Sequence, residues 1–155
     1  MTPILLGKVN RRALAALTLK PTETDLIASN PIWIAEAALE AEAVTFGLFK
    51  RETPVGMMSL IDPRARAKDE KDFCISDCLY VWRIMIDADH RGMGIGRDAL
   101  DFAAEYAALL GLSGLSLTTA DQKPGNALGF YKKIGFIPTE RRIKGEIELI
   151  KRFAP

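Results

Sequence analysis

Apolar residues recur along the chain with two different periods, and the changes between these periods predict an ordered series of strands and helices. Short apolar or alternating stretches predict strands at residues 4–9, 44–50, 54–60, 79–86, 115–119, 136–142 and 146–151. Apolar residues at helical spacing predict helices at residues 11–20, 32–43, 95–110 and 126–134. The predicted order of elements is therefore β-α-α-β-β-β-α-β-α-β-β.

Residues that cap or break helices mark the ends of several of these elements. Asn10 is a typical N-cap, and the residue before Pro21 disfavours helical backbone, so the first helix is expected between them. Ser29 precedes a start signal for the second helix, because Pro31 fits the first helical turn. Gly111 is expected to close the third helix.

Length and composition are those of an ordinary globular protein. The 155 residues fit one domain spanning residues 1–155, with 48% hydrophobic and 26% charged residues. The formal net charge of +1 gives no reason to expect a nucleic-acid or membrane partner. Because no apolar run approaches the roughly 18 residues of a membrane span and the N-terminus lacks a signal-peptide pattern, we expect a cytoplasmic protein.

The cysteines and the histidine do not predict a metal site. Cys74 and Cys78 are separated by three residues, which is not the spacing of a usual zinc pair, and His90 is the only histidine. We expect the two thiols to be buried or half-exposed, and His90 to be a turn residue.

The stretch from Trp82 to Gly96 carries the most specific chemistry in the sequence. A predicted strand leads through a short charged turn to an arginine and three alternating glycines, and a helical pattern begins at once. Glycines let backbone N–H groups approach a phosphate, while a helix N-terminus adds unsatisfied donors and positive potential. An arginine can add a bidentate contact. The residues expected to bind the anion are Arg91, Gly92, Met93, Gly94, Ile95, Gly96 and Arg97.

Several kinds of glycine turn compete for this stretch. A P-loop is excluded, because no Gly-Lys-Ser/Thr follows the glycines. A dinucleotide-binding loop fits the spacing Gly94-x-Gly96-x-x-Ala99, and Asp121 lies where a ribose-binding acid is expected, but the charged turn before the glycines argues against it. A further kind has the pattern Arg91-x-x-Gly94-x-Gly96. A turn without a ligand is disfavoured, because the glycines cost helix propensity.

A second motif separates these possibilities. Residues 127–136 read Ala-Leu-Gly-Phe-Tyr-Lys-Lys-Ile-Gly-Phe, with Tyr131 four residues after Ala127 and Gly135 four residues further on. Together with the stretch around Arg91, this motif resembles the GCN5-related N-acetyltransferases (GNAT family), and the resemblance covers roughly residues 4–153. The predicted order of elements is also that of these acetyltransferases, whereas a dinucleotide fold would alternate strand and helix from the start.

The resemblance implies an α/β fold of the α+β kind, with a central mixed, mostly antiparallel sheet flanked by about four helices. It also implies acetyl-CoA as the co-substrate and no metal, with the pyrophosphate at the glycine turn and pantetheine along Ile84, Met85 and Ile86. A strand N–H near Met85 would stabilise the oxyanion. The motif tyrosine, Tyr131, would protonate the departing thiolate, since a tyrosine pKa near 10 keeps it protonated at neutral pH. Phe130, Ile134 and Phe136 are expected in the core.

Two positions depart from the pattern of the family. Many members have an asparagine three residues before the motif alanine, where this chain has Pro124, so Asn126 becomes the candidate cofactor contact. Several relatives place a glutamate on the central strand as a base that acts through water. This chain has Tyr80, Trp82 and Arg83 there instead. The base is therefore unassigned, and deprotonation of the amine in bulk solvent is an alternative.

The acceptor is expected to be a cationic primary amine. Residues 21–49 contain five acidic residues and no lysine or arginine, so the rest of the chain is net positive. A negative acceptor wall beside a positive cofactor wall suits a cation, although a solvated acidic helix face is the alternative. Residues 25–30, residues 82–87 and Gly145-Glu146 are similar to bacterial diamine and polyamine N-acetyltransferases. The expected substrate-binding residues are Trp33, Glu36, Glu40 and Trp82.

The expected reaction is direct attack of a diamine or polyamine, such as spermidine or spermine, on acetyl-CoA in a ternary complex. Competing acceptors are a peptide N-terminus, a lysine or an aminoglycoside, because acceptors vary widely on one scaffold. A non-catalytic acyl-CoA-binding module is the alternative of a different class, although the motif tyrosine argues against it. Since relatives are often dimers, a homodimer is expected by analogy.

Overall fold

The computed structural model describes residues 1–21, 26–66 and 74–154, and within them the elements follow the predicted order. Short 3-10 turns lie at Pro63–Ala65 and Ala88–His90. No helix in these ranges is long and apolar enough to cross a membrane. The strands and helices are β1 (Thr2–Leu5), α1 (Arg11–Ala15), α2 (Asn30–Leu39), β2 (Ala43–Lys50), β3 (Thr53–Ile61), β4 (Cys78–Ile86), α3 (Ile95–Leu109), β5 (Gly114–Thr119), α4 (Leu128–Lys133), β6 (Ile137–Ile143) and β7 (Glu146–Arg152).

Seven strands form a single sheet in the order β1-β2-β3-β4-β5-β7-β6. Neighbouring strands pair antiparallel, except that β4 and β5 are parallel. Helix α3 supplies the crossover that a parallel pair requires. The expectation of a mixed, mostly antiparallel sheet with four helices is therefore confirmed.

Two hydrophobic layers cover the two faces of the sheet. The larger layer joins the central strands to α3 and α4, with Ala99 and Ala103 of α3 fully buried in it. The smaller layer joins the sheet to α1 and α2, and its buried members are Leu14, Trp33, Phe49, Met57 and Met85. Because Ile84 and Ile86 pack on the larger layer and Met85 belongs to the smaller one, β4 is covered on both faces.

Trp33 of α2 is fully buried in the smaller layer. Its indole N–H donates a hydrogen bond to Ser59 Oγ at 2.7 Å, and Ser59 Oγ lies 2.6 Å from Thr45 Oγ1. The expectation that Trp33 forms a wall of the acceptor site is therefore wrong. The face of α2 that carries Trp33 packs against the sheet.

Both N-terminal helices are shorter than their sequence patterns predicted. Helix α1 ends at Ala15 rather than at residue 20, and α2 ends at Leu39 rather than at residue 43. Glu40 leaves the helical conformation, with φ −94° and ψ 90°. Glu36 and Glu40 therefore do not lie on one face of a continuous helix, because α2 ends at Leu39 and Glu40 follows it.

Strands β4 and β5 separate along their length. They pair at three positions, where Cys78, Leu79 and Tyr80 face Gly114, Leu115 and Ser116. Strand β4 nevertheless continues to Ile86, and β5 continues to Thr119. Past the third pair the facing edges of the two strands have no cross-strand partner in the described sheet, so a wedge-shaped gap opens in the middle of the sheet.

Candidate active site

A cavity of about 1030 Å³ occupies the gap between β4 and β5. One side is lined by the glycine turn, by the first residues of α3, and by Phe130 and Tyr131 of α4. The other side is lined by residues 26–28, by Glu40 and Arg66, and by the turn between β6 and β7. The cavity is large enough for a cofactor-sized ligand. We refer to the first side as the glycine side and to the second as the acceptor side.

The glycine side begins where β4 ends. Gly92 and Gly94 have positive φ angles of 76° and 81°, in the left-handed region that favours glycine. Gly94 is the N-cap of α3 and has no side chain to accept from the first helical N–H groups, which therefore stay available to an anion. Arg91 Nε donates to the Ile86 carbonyl at 2.7 Å, which fixes the arginine against the strand.

The residues predicted to bind the anion come together in this turn. Met93 differs from the others, because its side chain is 57% exposed and is not part of the described lining. The residues of this group that line the cavity are Arg91, Gly92, Gly94, Ile95, Gly96 and Arg97. Their role in binding a cofactor stays a prediction, and for Met93 only the backbone remains a candidate contact.

Gly96 has a packing role in addition to its place in the motif. A Cβ atom built on Gly96 would lie 3.1 Å from Phe130 Cζ, so the ring of α4 packs directly over the first turn of α3. Phe130 is 39% exposed and lines the cavity, whereas Ile134 and Phe136 are buried. The expectation that Phe130 belongs to the core is therefore wrong, because its ring lines the cavity beside Gly96.

Strand β4 contributes Ile84, Met85 and Ile86 to the lining, as the sequence predicted. Its pairing with β3 shifts by one residue, since Arg83 faces Ser59 and Val81 faces Leu60. The extra residue is Trp82, which also lines the cavity. The Arg83 guanidinium carbon lies 4.4 Å from the centroid of the Trp82 ring, so this ring already contacts one cation.

Tyr131 lies in the cavity lining at the start of α4 and is only 8% exposed. Burial raises the pKa of its phenol above the ordinary value of 10.0, the Glu146 carboxylate raises this pKa further, and Arg91 opposes the rise. The phenol is therefore protonated at neutral pH, as a proton donor must be. The position and the protonation state both agree with the role that the motif predicted, and the role itself stays a prediction.

Asn126 lines the cavity just before α4, and its side chain is used locally. Its amide nitrogen donates to the Lys123 carbonyl at 2.7 Å, and its Oδ1 accepts from the Leu128 N–H at 3.1 Å. These bonds make Asn126 the residue that holds the entry into α4. A cofactor contact from this side chain stays a prediction, and it has to use the second amide hydrogen.

The acidic residues of the predicted acceptor wall are paired with arginines from other parts of the chain. Glu36 forms an ion pair with Arg83 and is not among the described lining residues. Glu40 does line the cavity, but its carboxylate lies 3.1 Å from Arg66 Nη1, which is also 3.2 Å from Glu42. The structure therefore separates Glu40 from Glu36. Glu23 and Asp25, the other two acids of the segment, lie outside the described residues.

Several lining residues were not selected from the sequence as site residues. Tyr80 and Thr118 lie on the facing strands β4 and β5, and Glu146 begins β7. Thr118 Oγ1 donates to Glu146 Oε1 at 3.2 Å. In the sequence, Glu146 stands out only as part of the dipeptide Gly145-Glu146, which is similar to one in bacterial diamine and polyamine N-acetyltransferases. Its distance along the chain from the other site residues gave no signal that it would lie beside Tyr131.

The acid that would support a dinucleotide site is engaged elsewhere. Asp121 forms a two-point ion pair with Arg142, with Oδ2 at 2.6 Å from Nη2 and Oδ1 at 3.1 Å from Nη1. The pairing removes the ribose-binding acid that the dinucleotide alternative needs. In the part of the chain that the structure describes, no group of three His, Cys, Asp or Glu residues could hold a metal ion.

A buried carboxylate connects the glycine turn to the end of α1. Asp87 Oδ1 accepts from the Thr18 N–H at 2.8 Å and from Thr18 Oγ1 at 3.2 Å, while Oδ2 lies 3.0 Å from His90 Nδ1. Burial alone would raise the pKa of Asp87, but hydrogen bonds from Thr18 and His90 together hold it below the ordinary value of 3.8. The segment that follows α1 is thereby held to the turn that precedes the glycines.

The split sheet, the open helix N-terminus and the buried tyrosine lie around one cavity of a mixed α/β fold. Residues 12–136 match the model of the Acetyltransferase (GNAT) family. The chain belongs to this family, and the acyltransferase activity expected from the two motifs is the activity of the family.

One curated relative and several solved structures agree with this assignment. An uncharacterized N-acetyltransferase of Methanocaldococcus jannaschii is 36% identical over 72 residues, which are 46% of this chain and 31% of that relative. The chain thus spans less than a third of the relative that it matches.

Solved structures match over nearly the whole length. The PaiA N-acetyltransferase of Thermoplasma acidophilum, in complex with coenzyme A, has 17% identity, 99% and 100% coverage of the two chains and a TM-score of 0.69. An aminoglycoside 6'-acetyltransferase type Ii has 16% identity, 100% and 99% coverage and a TM-score of 0.72. A spermidine N-acetyltransferase chimera from Vibrio cholerae has 18% identity, 97% and 94% coverage and a TM-score of 0.61. The predicted fold and the acetyl-CoA co-substrate are confirmed.

Proposed function

We propose that this protein transfers the acetyl group of acetyl-CoA to a primary amine of a small, multiply charged molecule, most simply a diamine or polyamine such as spermidine or spermine. The amine attacks the thioester directly, in a ternary complex. The observation that carries the proposal is the pair of carboxylates, Glu40 and Glu146, on the acceptor side of the cavity.

The charge on the acceptor side supports a cationic acceptor. Arg66 is the shared partner of Glu40 and Glu42, so Glu40 has only a share of that guanidinium. Lys144 is a further cation on this side, and Glu146 is its second lining carboxylate. An ammonium group can contact the carboxylate of Glu40 or of Glu146, and an anionic acceptor would be repelled by both.

The walls of the acceptor side suit the methylene groups between two ammonium ions. Trp82 and Tyr80 line the cavity with aromatic rings, and Ile27 adds an aliphatic side chain. An aromatic face also attracts a cation. A flexible chain of methylenes and ammonium groups can therefore contact both the rings and Glu40, whereas an amino acid or a short peptide would bring its own carboxylate or amide groups.

Two groups would carry the chemistry in this proposal. A backbone N–H of β4 near Met85 would stabilise the oxyanion, because preformed donors contribute to acyl transfer. Tyr131 would then donate its phenolic proton to the departing thiolate of coenzyme A. The side chain of Asn126 would support the start of α4, which carries the tyrosine.

The acceptor is identified by a thiol-release assay with acetyl-CoA and a panel of amines. We expect spermidine, spermine or putrescine to turn over faster than amino acids and a peptide, and KM for the polyamine to rise with added salt. An aminoglycoside belongs in the panel as a cationic acceptor of a different shape. If the polyamines are inert while an amino acid, a peptide or an aminoglycoside turns over, the polyamine assignment is wrong.

Glu40 and Glu42 provide a matched pair of variants. Both carboxylates contact Arg66, but among the described lining residues only Glu40 is found. Glu40→Gln should raise KM for the polyamine by roughly threefold to tenfold, which corresponds to about 1 kcal/mol for a partly exposed pair, and should leave KM for acetyl-CoA unchanged. Glu42→Gln removes the other ion pair of Arg66, and because Glu42 is not among the described lining residues it should raise KM for the polyamine less than Glu40→Gln does. Equal effects of the two variants would show that the arginine, and not the acceptor, responds.

Two further expectations belong with this proposal. A homodimer remains a prediction by analogy with the family, and sedimentation equilibrium at several protein concentrations tests it. Cytoplasmic residence also remains a prediction, which fractionation of the source cells tests.

A further inference from the structure

We propose that Glu146 is the proton acceptor of the reaction, and that it takes a proton from the ammonium group of the acceptor before the amine attacks acetyl-CoA. The central strand β4 cannot supply this base, because it carries Tyr80, Trp82 and Arg83 and offers no carboxylate. Glu146 brings a carboxylate to the same cavity from β7, a strand on the other side of the gap. This inference rests on the proposed function, because it needs an amine on the acceptor side.

The position of Glu146 is set by the pairing of three strands. Strand β7 pairs with β5 on one side, where Thr119 faces Ile147, and with β6 on the other, where Ile143 faces Glu146. Glu146 is thus the first residue of β7, at the mouth of the gap, and it is half-buried. Thr118 of β5 donates its hydroxyl to Glu146 Oε1 at 3.2 Å, which orients the carboxylate.

The other carboxylates near the cavity are held by guanidinium groups. Glu148, two residues further along β7, is 2% exposed and is held by Arg141 at 2.7 Å and by the Thr139 hydroxyl at 2.6 Å. Glu40 is paired with Arg66. A carboxylate held by an arginine has to leave that ion pair before it can reach the ammonium group of a substrate. The hydrogen bond described for Glu146 comes instead from a hydroxyl, which does not carry that charge.

Besides Thr118, charged and titratable groups from several elements surround Glu146. Tyr80 faces it from β4 and Tyr131 from α4, and the carboxylate raises the pKa of both phenols in addition to the rise caused by burial. Lys144 precedes it in the β6–β7 turn and also lines the cavity. Arg142 of β6 donates to the Gly145 carbonyl at 3.2 Å while pairing with Asp121. Arg91 is the cation on the glycine side that acts on Tyr131.

The proton steps balance with these residues alone. The acceptor ammonium gives one proton to the Glu146 carboxylate, and the neutral amine nitrogen attacks the thioester carbonyl carbon. The new C–N bond forms and the C–S bond then breaks. Tyr131 gives its phenolic proton to the thiolate and regains one from the nitrogen that has become positively charged. Glu146 returns its proton to solvent, so the net products are an amide, a thiol and one released proton.

Glu146→Gln tests the inference, because glutamine keeps the size and can still accept from Thr118. The rates are measured with whichever amine the wild-type protein acetylates fastest, so that a wrong amine class in the proposed function leaves this test intact. We expect kcat/KM near neutral pH to fall by roughly a hundredfold, which is the low end for a general base, while KM for acetyl-CoA is unchanged. Glu146→Asp should recover part of the loss.

The pH profile separates a proton acceptor from a residue that merely binds the amine. In Glu146→Gln only the amine that is already neutral reacts. Its log kcat/KM should therefore rise with pH up to the pKa of the amine, and the difference in kcat/KM from wild type should become smaller over the same range. Glu105→Gln, an exposed change on α3, is the control and should follow the wild-type profile. A raised acceptor KM with unchanged kcat at every pH, or a rate within twofold of wild type, would overturn the inference. If Glu146→Gln melts early, the profile of Glu146→Ala gives the same decision, because alanine also removes the carboxylate.

Discussion

At the scale of single residues, the proposed proton donation in the cavity depends on Tyr131 being buried and neutral. Its phenol lies 8% exposed beside Phe136, with the ring centroids 5.7 Å apart, and burial raises its pKa. A neutral phenol in an apolar setting can protonate a thiolate without first having to separate from a charged partner. The same burial fixes the ring, so the hydroxyl has few alternative positions.

Tyr131→Phe tests the proton donor directly. The change removes only the hydroxyl, so packing against Phe136 is preserved and the melting temperature should stay close to wild type. We expect kcat to fall by about 10²–10⁴-fold with little change in KM for acetyl-CoA, because the donor acts mainly in the transition state. Tyr106→Phe on α3 is a control that removes a hydroxyl away from the cavity. A Tyr131→Phe enzyme within about twofold of wild type contradicts the role.

Residue-level expectations succeeded where a motif fixes the backbone and were wrong where a side chain had to find a distant partner. The positive φ of Gly94 follows from the motif, because few other residues tolerate it. The burial of Trp33 against Ser59, and the pairing of Glu36 with Arg83, join residues more than 20 positions apart. Nothing in the local sequence of α2 indicates these partners, so an acidic, aromatic helix looked like a ligand-binding surface.

At the scale of elements, the start and the end of α3 offer a direct comparison of two glycines. Gly94 and Gly111 have φ angles of 81° and 76°, and a Cβ atom at either position meets no atom within 4 Å. A side chain therefore costs similar backbone energy at both positions. They differ in their surroundings, because Gly94 faces the cavity and Gly111 follows the far end of the helix.

Gly94→Val should weaken acetyl-CoA binding by tenfold or more, since the new side chain keeps the phosphate away from the backbone N–H groups. Gly111→Val is the matched control, and it should lower stability by a similar amount while leaving affinity unchanged. Isothermal titration calorimetry with acetyl-CoA compares the two, after thermal unfolding shows that both variants are cooperatively folded. Unchanged affinity in Gly94→Val would mean that the turn does not bind phosphate, and tight NAD binding would restore the dinucleotide alternative.

The order of elements could be predicted well, and their ends less so. Period changes and turn residues predicted all the strands and helices in sequence, because a local pattern specifies each one. The predicted end of α2 was wrong. Alanine and glutamate favour helix through residue 43, but Glu40 and Glu42 lie beyond the helix, where both form ion pairs with Arg66. The gap between β4 and β5 also has no local signature, since it arises from the register of two strands separated by α3.

At the scale of the whole molecule, Asp87 links the segment after α1 to the turn before α3 through Thr18 and His90. The folded protein stabilises the ionised carboxylate of Asp87 more than the unfolded chain does, and this lowers the pKa of Asp87. Its contribution to the free energy of unfolding is therefore complete above the ordinary aspartate pKa of 3.8 and is lost as the pH falls below that value.

Asp87→Asn should consequently lower the free energy of unfolding by about 1–3 kcal/mol at neutral pH, the usual range for a hydrogen-bonded charge. The difference from wild type should shrink as the pH falls from about 5 to below 3.8. Urea unfolding at a series of pH values measures it, with Asp98→Asn in the first turn of α3 as a control. A constant difference across this range would contradict the assigned ionisation of Asp87.

The separation of β4 from β5 creates two open strand edges inside the molecule rather than at its rim. An open edge normally invites pairing with another polypeptide and is a common origin of aggregation. Here Tyr131 and Phe130 of α4 and the first residues of α3 line the opening, so the two edges face a cavity inside the fold. In the proposed function the amide groups of pantetheine would pair with the edge of β4 as an added strand does. An unpaired strand edge would then serve as the binding surface for a co-substrate instead of a site of aggregation.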